Sequence, residues 1–344
     1  MFNIMMIGIN DGLLWAILAL GLYISYRVLD IADLTCEGSI TLGASVVTSL
    51  LTAMMANSAL SEAAADSLWL QILLSLLCVL VSSLAGVVAG VVTGVLYTKL
   101  KIPPILAGIL TMCSLFTVNL WLMDGASLSL PHSLYNSLLA LCKGAGLRLS
   151  LTSLQLIVNL PLCALLVAVL YWFFGTELGA AIRATGNNPQ MCRAQGINTD
   201  LTTIVGLGIG NGLVALSGAL QVQTRFNSEV NMGVGAIVIG LAAIVIGEAL
   251  FARFKNFGIT MAGIVLGSVV YRVIVSVVID RFNPNALKLV SALIVVLALT
   301  LPRLVTYMQK RVKDMKKKAP KAPEAEAPVA PAEAPVTEEV SENE

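Results

Sequence analysis

The side chains of this chain that could do chemistry are few, and the densest group sits in one polar insert, GTELGAAIRATGNNPQMCRAQGINTD, between apolar runs ending near Phe174 and opening near Leu201. Leu178, Ala181 and Ile182 recur at helical spacing. Gly186 reads as a stop, Asn187 or Asn188 as a cap for a second start, and Pro189 as the first residue of a new helix. Gly196 ends that second helix after about two turns, and a helix so short is marginal alone in water. It therefore reads as a docking element that presents Arg183, Arg193 and Gln195 to a partner. An ordinary amphipathic loop would have the same composition.

Catalytic constellations are missing from the sequence. The single histidine, His132, has no partner within a motif, and the stretch after Pro131 reads as a short interfacial helix. Six cysteines (Cys36, Cys78, Cys113, Cys142, Cys163, Cys192) show no CxxC spacing and read as small packing residues. No phosphate-binding GxxxxGK[ST], HExxH or GxSxG motif occurs, so no enzyme activity, resident cofactor or metal is expected; if ATP drives this protein, another chain binds it.

The elements that must position the insert are membrane helices. Of 344 residues, 57% are hydrophobic and 12% charged, and mean hydropathy is +0.88, values of a polytopic membrane protein. Apolar runs near the roughly 20 residues needed to cross a bilayer occur at 4–26, 36–56, 68–97, 102–123, 153–174, 200–222, 231–250, 258–280 and 286–307. The expected fold is all-α, a polytopic transmembrane bundle of about nine spans, since no alternating barrel pattern is present. The stretch near 30–45, with Asp30, Asp33 and Glu37, alternatively reads as a broken or re-entrant helix. Residues 1–307 form the membrane domain; 308–344 read as a basic juxtamembrane segment and a disordered acidic Pro/Ala/Glu tail.

Alternating spans place Lys99 and Lys101, Arg183 and Arg193, Arg253 and Lys255, and the basic run from Arg303 to Lys318 on one side, the cytoplasmic one, with the N-terminus outside. Glycines at helix-packing intervals (Gly86, Gly90, Gly94; Gly206, Gly208, Gly210, Gly212; Gly263, Gly267) imply close approach of helix backbones. Uncharged polar residues inside spans mark either a translocation path or helix–helix hydrogen bonds: Asn119, Asn159, Asn211, Gln221 and Gln223, with Gln155 beside them. Asn211 and Gln221 are expected on roughly the same helix face. Arg272 either snorkels outward or meets a substrate carboxylate.

The pattern GxxxRAxGxNPxxxxxxGIN, Gly179 to Asn198, resembles the cytoplasmic coupling loop of ABC importer permeases of the branched-chain amino-acid and sugar type. NxGxGAIVIGLAAIVIGEAL, Asn231 to Leu250, resembles the family's glycine-rich span, and the stretch from Asn10 to Ala44 resembles its opening. Gly247-Glu248 stands where members often carry a Gly pair, and Glu248 is expected to pair with Arg253 or Lys255.

The resemblance implies a coupling loop at 175–199 whose helix, Asn188 to Gln195, seats in an ATPase cleft. It implies coupling roles for Arg183, Gly186, Asn188, Pro189, Arg193, Gln195 and Gly196. It further implies an ABC ATPase subunit, an external solute-binding protein, a second permease subunit (a homodimer is expected), the bacterial inner membrane, and an amino acid, branched-chain or aromatic, as solute ahead of a sugar or nucleoside. No nucleic-acid partner is expected. An ion-driven secondary transporter, which should show intramembrane carboxylates, and a non-transporting scaffold are the competing readings.

Overall fold

The computed structural model describes residues 2–56, 67–130, 134–144, 150–251 and 256–279, with Val296 and Thr300. Contacts divide the chain into residues 1–302 and 303–344, and the second unit, with the basic run and acidic tail, lies outside the described residues. Helix α1 spans Phe2–Tyr23 and continues as a π-helical turn, Ile24–Val28. There follow α2 (Thr35–Ala56), α3 (Leu68–Thr98), α4 (Pro104–Met123), strand β1 (Ser127–Ser129), α5 (Leu134–Gly144) and α6 (Leu151–Gly175). The insert forms α7 (Glu177–Asn187) and α8 (Pro189–Ala194), and the chain continues with α9 (Thr199–Arg225), strand β2 (Asn227–Glu229), α10 (Ala236–Leu250) and α11 (Phe257–Ile279).

Seven helices among the described residues are long and apolar enough to cross a membrane, and their bounds follow the apolar runs of the sequence. Two of the nine expected spans differ in kind. Residues 231–250 begin with turns, so α10 is only 15 residues long, and 286–307 falls almost wholly outside the described residues. Among the described residues the helical architecture has one small exception: β1 and β2 form an antiparallel ribbon with Ser127 opposite Glu229.

Helix α9 is the axis of the bundle, because its neighbours reach its backbone through glycines. A Cβ on Gly86 or Gly90 of α3 would strike the carbonyls of Asn211 or Leu207, and one on Gly43 of α2 would strike that of Ala215. Gly267 of α11 packs in the same way on Ala243 and Gly247 of α10. The glycine intervals of the sequence thus mark helix contacts within this chain.

These contacts also fix direction. α1 runs antiparallel to α9, with Ser217 Oγ donating to the Leu14 carbonyl at 2.7 Å and Gly21 against Gly210. α2 runs parallel to α9, with Ser39 Oγ donating to Asn211 Oδ1 at 2.7 Å. The insert end carries Lys99 beside Asp200 at 3.4 Å; the opposite end carries Arg225 beside Asp11 at 3.3 Å and the ribbon. The basic loops at Lys99 and at Arg183–Arg193 therefore share one end, and the start of α1 lies at the other. Arg253 and Lys255 lie outside the described residues.

Two connections stay inside the bundle instead of looping beyond it. After the π-helical turn the chain reverses at Asp30, whose φ is 55°, and residues 29–34 tuck between α4 and α9, with Leu29 against Gly206 and Leu34 against Gly108. The break expected near 30–45 is this connection, and α2 beyond it is an unbroken helix. After β2 the chain turns inward, so that Gly233 packs on Glu37 and Ile40 of α2. Helix α10 starts there, with the Gly235 N–H donating to Glu37 Oε1 at 3.0 Å.

Candidate coupling and translocation sites

Local capping explains the shape of the insert. Thr176 Oγ1 accepts from Gly179 N at 3.4 Å and starts α7, and Asn188 both ends α7 and caps α8 by accepting from Met191 N at 3.0 Å. Pro189 takes the first position of α8, Gly196 closes it at φ 81°, and Asn198 caps α9 through Asp200 N and Leu201 N, both at 3.1 Å. Five side-chain and backbone devices in about 25 residues give the insert a defined form that propensity alone would not hold.

Gly186 corrects the sequence reading. It does not stop α7, which runs on to Asn187. Instead it lets the helix lie on the π-helical turn, where a Cβ would strike the Val28 carbonyl and crowd Leu29. Ile182 and Thr185 are buried on that same side, and the Thr185 and Thr202 hydroxyls meet at 2.9 Å. Arg193 Nε donates to Thr199 Oγ1 at 2.8 Å, tying α8 to the first turn of α9. Arg183 lies 5.4 Å above the Phe257 ring. Asn188, Pro189, Gln190, Met191, Arg193 and Gln195 are exposed. The insert thus has a buried face on the bundle and a polar outer face, with Met191 57% exposed on it.

Each polar residue expected along a translocation path lies inside the bundle. Asn119 accepts from Ser45 Oγ at 3.1 Å and donates to the Gly38 carbonyl at 3.4 Å. Asn159 accepts from the Tyr135 hydroxyl and donates to Asn10 Oδ1 at 2.7 Å, and Asn10 donates to Gln155 Oε1 at 3.2 Å. Burial raises the Tyr135 pKa, with the Asn159 bond opposing, so this hydroxyl is a donor. Gln221 Nε2 donates to Ser217 Oγ at 3.1 Å, its Oε1 has no partner among the described residues, and Gln223 is buried. Asn211 and Gln221 do not share a face: Asn211 points to α2, while Gln221 sits over Ser217, which bonds α1. Ten residues of helix leave about 80° short of whole turns, which accounts for the difference.

The sequence reading missed the two carboxylates at the centre. Asp33 is fully buried; it accepts from Thr35 N at 2.9 Å and Asn211 Nδ2 at 2.7 Å, with the Cys36 thiol at 3.7 Å. A hydroxyl chain continues from Thr35 to Thr93 at 2.7 Å and to Thr111 at 3.0 Å, joining α2, α3 and α4. Glu37, one turn on, holds the start of α10. Both stood at the edge of an apolar run, where charge is costly and marks function by default.

The partners expected for Glu248, Arg253 and Lys255, lie outside the described residues, and the expectation for Arg272 changes. Glu248 binds Arg27, through Nε–Oε1 at 2.9 Å and a close Nη2–Oε2 contact, joining the end of α10 to the π-helical turn. Arg272 does not snorkel; its guanidinium lies 4.3 Å from the centre of the Trp15 ring.

Comparison with known proteins decides the family. The family model for the branched-chain amino acid transport system permease component matches residues 4–299. The chain belongs to that family. The permease is 33% identical over 291 residues, 83% of this chain and 87% of its relative, to the tyrosine transport system permease protein of Clostridioides difficile (strain R20291). It is 26% identical over 304 residues, 87% of this chain and 97% of its relative, to an uncharacterized protein of Rickettsia prowazekii (strain Madrid E). No solved structure matches it. Family and apolar helices together make the chain a multi-pass membrane transport permease, in a family of transport components and not of enzymes.

Proposed function

We propose that this permease is the membrane-spanning subunit of an ATP-driven amino-acid importer in the bacterial inner membrane. A separate ATPase seats on the outer face of α7 and α8, an external binding protein delivers the solute, and a second copy of the permease completes the pathway. The observation that carries this reading is the two-faced insert: exposed around Met191 and Gln195, and behind packed on Val28 and bonded to Thr199 and Thr202. Movement imposed on α8 passes into α9 and into the turn leading to Asp33, because these contacts have no slack. ATP is bound by the partner, and this chain supplies no cofactor site.

The aromatic solute of the relative from Clostridioides difficile supports tyrosine or a similar aromatic amino acid, ahead of branched-chain ones. Deleting the gene for this chain in its native host should abolish energy-dependent uptake of labelled tyrosine, and a plasmid copy should restore it. Unchanged uptake of tyrosine and leucine in the deletion strain would overturn the amino-acid assignment.

One observation favours a second reading, an ion-driven carrier: Asp33 and Glu37 are carboxylates within the bundle. Collapsing the proton and sodium gradients while ATP is maintained separates the two. Uptake that survives supports the ATP-driven importer; uptake that stops supports the carrier.

A further inference from the structure

The second inward connection runs beside a cavity of about 270 Å³, framed by α2, α4 and the segment before α10. Glu37, Thr41, Asn119 and Asn231 are its polar wall, and Met112, Phe116 and Val234 line the apolar side. Its depth follows from the register of α2: Glu37 lies two residues before Ser39, which bonds Asn211, one residue from the midpoint of the 27-residue α9. At 1.5 Å per residue that is about 20 Å from each end of α9, near the middle of a bilayer core.

The electrostatics of this cavity are unbalanced. Glu37 Oε1 takes the Gly235 N–H, and the amides opening α10 favour a negative charge there. None of the ion pairs among the described residues involves Glu37. A carboxylate at mid-depth lacking a cation is costly, and its bonds from the Gly235 and Ile237 amides offset part of that cost. Asn119 is already satisfied by Ser45 and Gly38, so it shapes the wall without adding charge. The volume falls just short of the range for drug-sized ligands, which suits one small solute.

We propose that this cavity is a transit subsite for the primary ammonium group of the translocated amino acid, received by Glu37, with the side chain lying on Met112, Phe116 and Val234. The proposal rests on the amino-acid reading above and adds which end of the solute is held, and where. No basic group lines the cavity for the solute carboxylate. Binding is therefore one-ended and weak, as a passing solute requires, and an amine without a carboxylate fits as well as the amino acid.

Cys113 lines the cavity and is the exposed cysteine among the described residues; Cys36, Cys78, Cys163 and Cys192 are buried. Its alkylation by neutral iodoacetamide reports occupancy in the purified full-length permease carrying Cys142→Ser, in lipid nanodiscs. Phenylalanine and phenethylamine should each slow the reaction several-fold, and 3-phenylpropionate, which lacks the amine, should not. Glu37→Gln keeps an oxygen for the Gly235 N–H and should remove the protection while the unprotected rate stays the same; Glu37→Asp should retain part of it.

Equal protection by 3-phenylpropionate, protection that survives Glu37→Gln, or no protection by either amine would overturn the subsite. If Glu37→Gln does not elute as a folded protein, the contrast between phenethylamine and 3-phenylpropionate on the unsubstituted Glu37 decides. Failure here is separable from failure of the amino-acid reading, because uptake by the deletion strain is scored independently. An importer of amino acids lacking this subsite would keep its uptake with Glu37→Gln.

Discussion

Helices α6 and α9 enter and leave the same insert, yet they are opposites. In α9, 78% of the spanning window is buried within the chain; in α6 the share is 17%. The more apolar of the two is the outer one. Leu165, Tyr171 and Trp172 of α6 are exposed, as suits a surface against lipid. α9 carries Gly206, Gly208, Gly210 and Gly212 with Asn211 and Gln221, all buried. Lipid offers no hydrophobic drive for helix association, so close backbone packing and hydrogen bonds select the centre. In the proposed coupling role, motion of the insert enters the protein through α9 and the Val28 turn, while α6 follows through the capped corner at Thr176.

That contrast breaks most sharply at a glycine. Gly90→Val forces branched carbons onto the Leu207 carbonyl and Asn211 and should cost about 3 kcal/mol or more. Folded yield by size-exclusion chromatography should collapse, whereas Leu165→Ala on α6 should leave yield and thermal midpoint unchanged.

Asn211→Leu is next, because it strips a charge-assisted bond from buried Asp33 and should cost about 3 kcal/mol. Adding Asp33→Asn should recover part of the loss in a thermal-unfolding double-mutant cycle, since the unpaired charge goes with it. A cycle showing simple additivity would mean the two act independently.

Gly186→Ala sharpens the comparison at the insert. It lifts α7 off Val28 and should lower uptake several-fold while shifting bundle stability by only about 1 kcal/mol. Smallest is Glu248→Gln, since Arg27 and Glu248 are 55% and 29% exposed. An ion pair so placed contributes below about 1 kcal/mol, and uptake should change little.

Span limits were legible because a bilayer demands long apolar runs, and Phe2–Tyr23 or Leu151–Gly175 leave no other choice. Asn188, Pro189 and Gly196 were legible because capping is local chemistry. Gly186 was not: the same residue serves as a helix stop or as a seat for a neighbouring backbone, and its neighbour, Val28, is 158 residues away. The short α10 was misread as a full span because apolar residues continue through Val230 and Val234, although the chain there is still turning. Asp33 and Glu37 were read only as part of a broken or re-entrant stretch near 30–45, because sequence alone does not show that it brings them to Asn211 and Gly235.

The most direct test of the central claim is mass spectrometry of what co-purifies with the tagged permease in mild detergent, with Met191→Glu and Gln195→Glu as the comparison. These substitutions alter the outer face of the insert and spare its seat on Val28 and Thr199. A stoichiometric ATPase with the unsubstituted protein, lost with the double variant while the permease itself elutes normally, is the predicted result. An ATPase retained equally by both, or absent from both across several detergents, would contradict docking on α7 and α8.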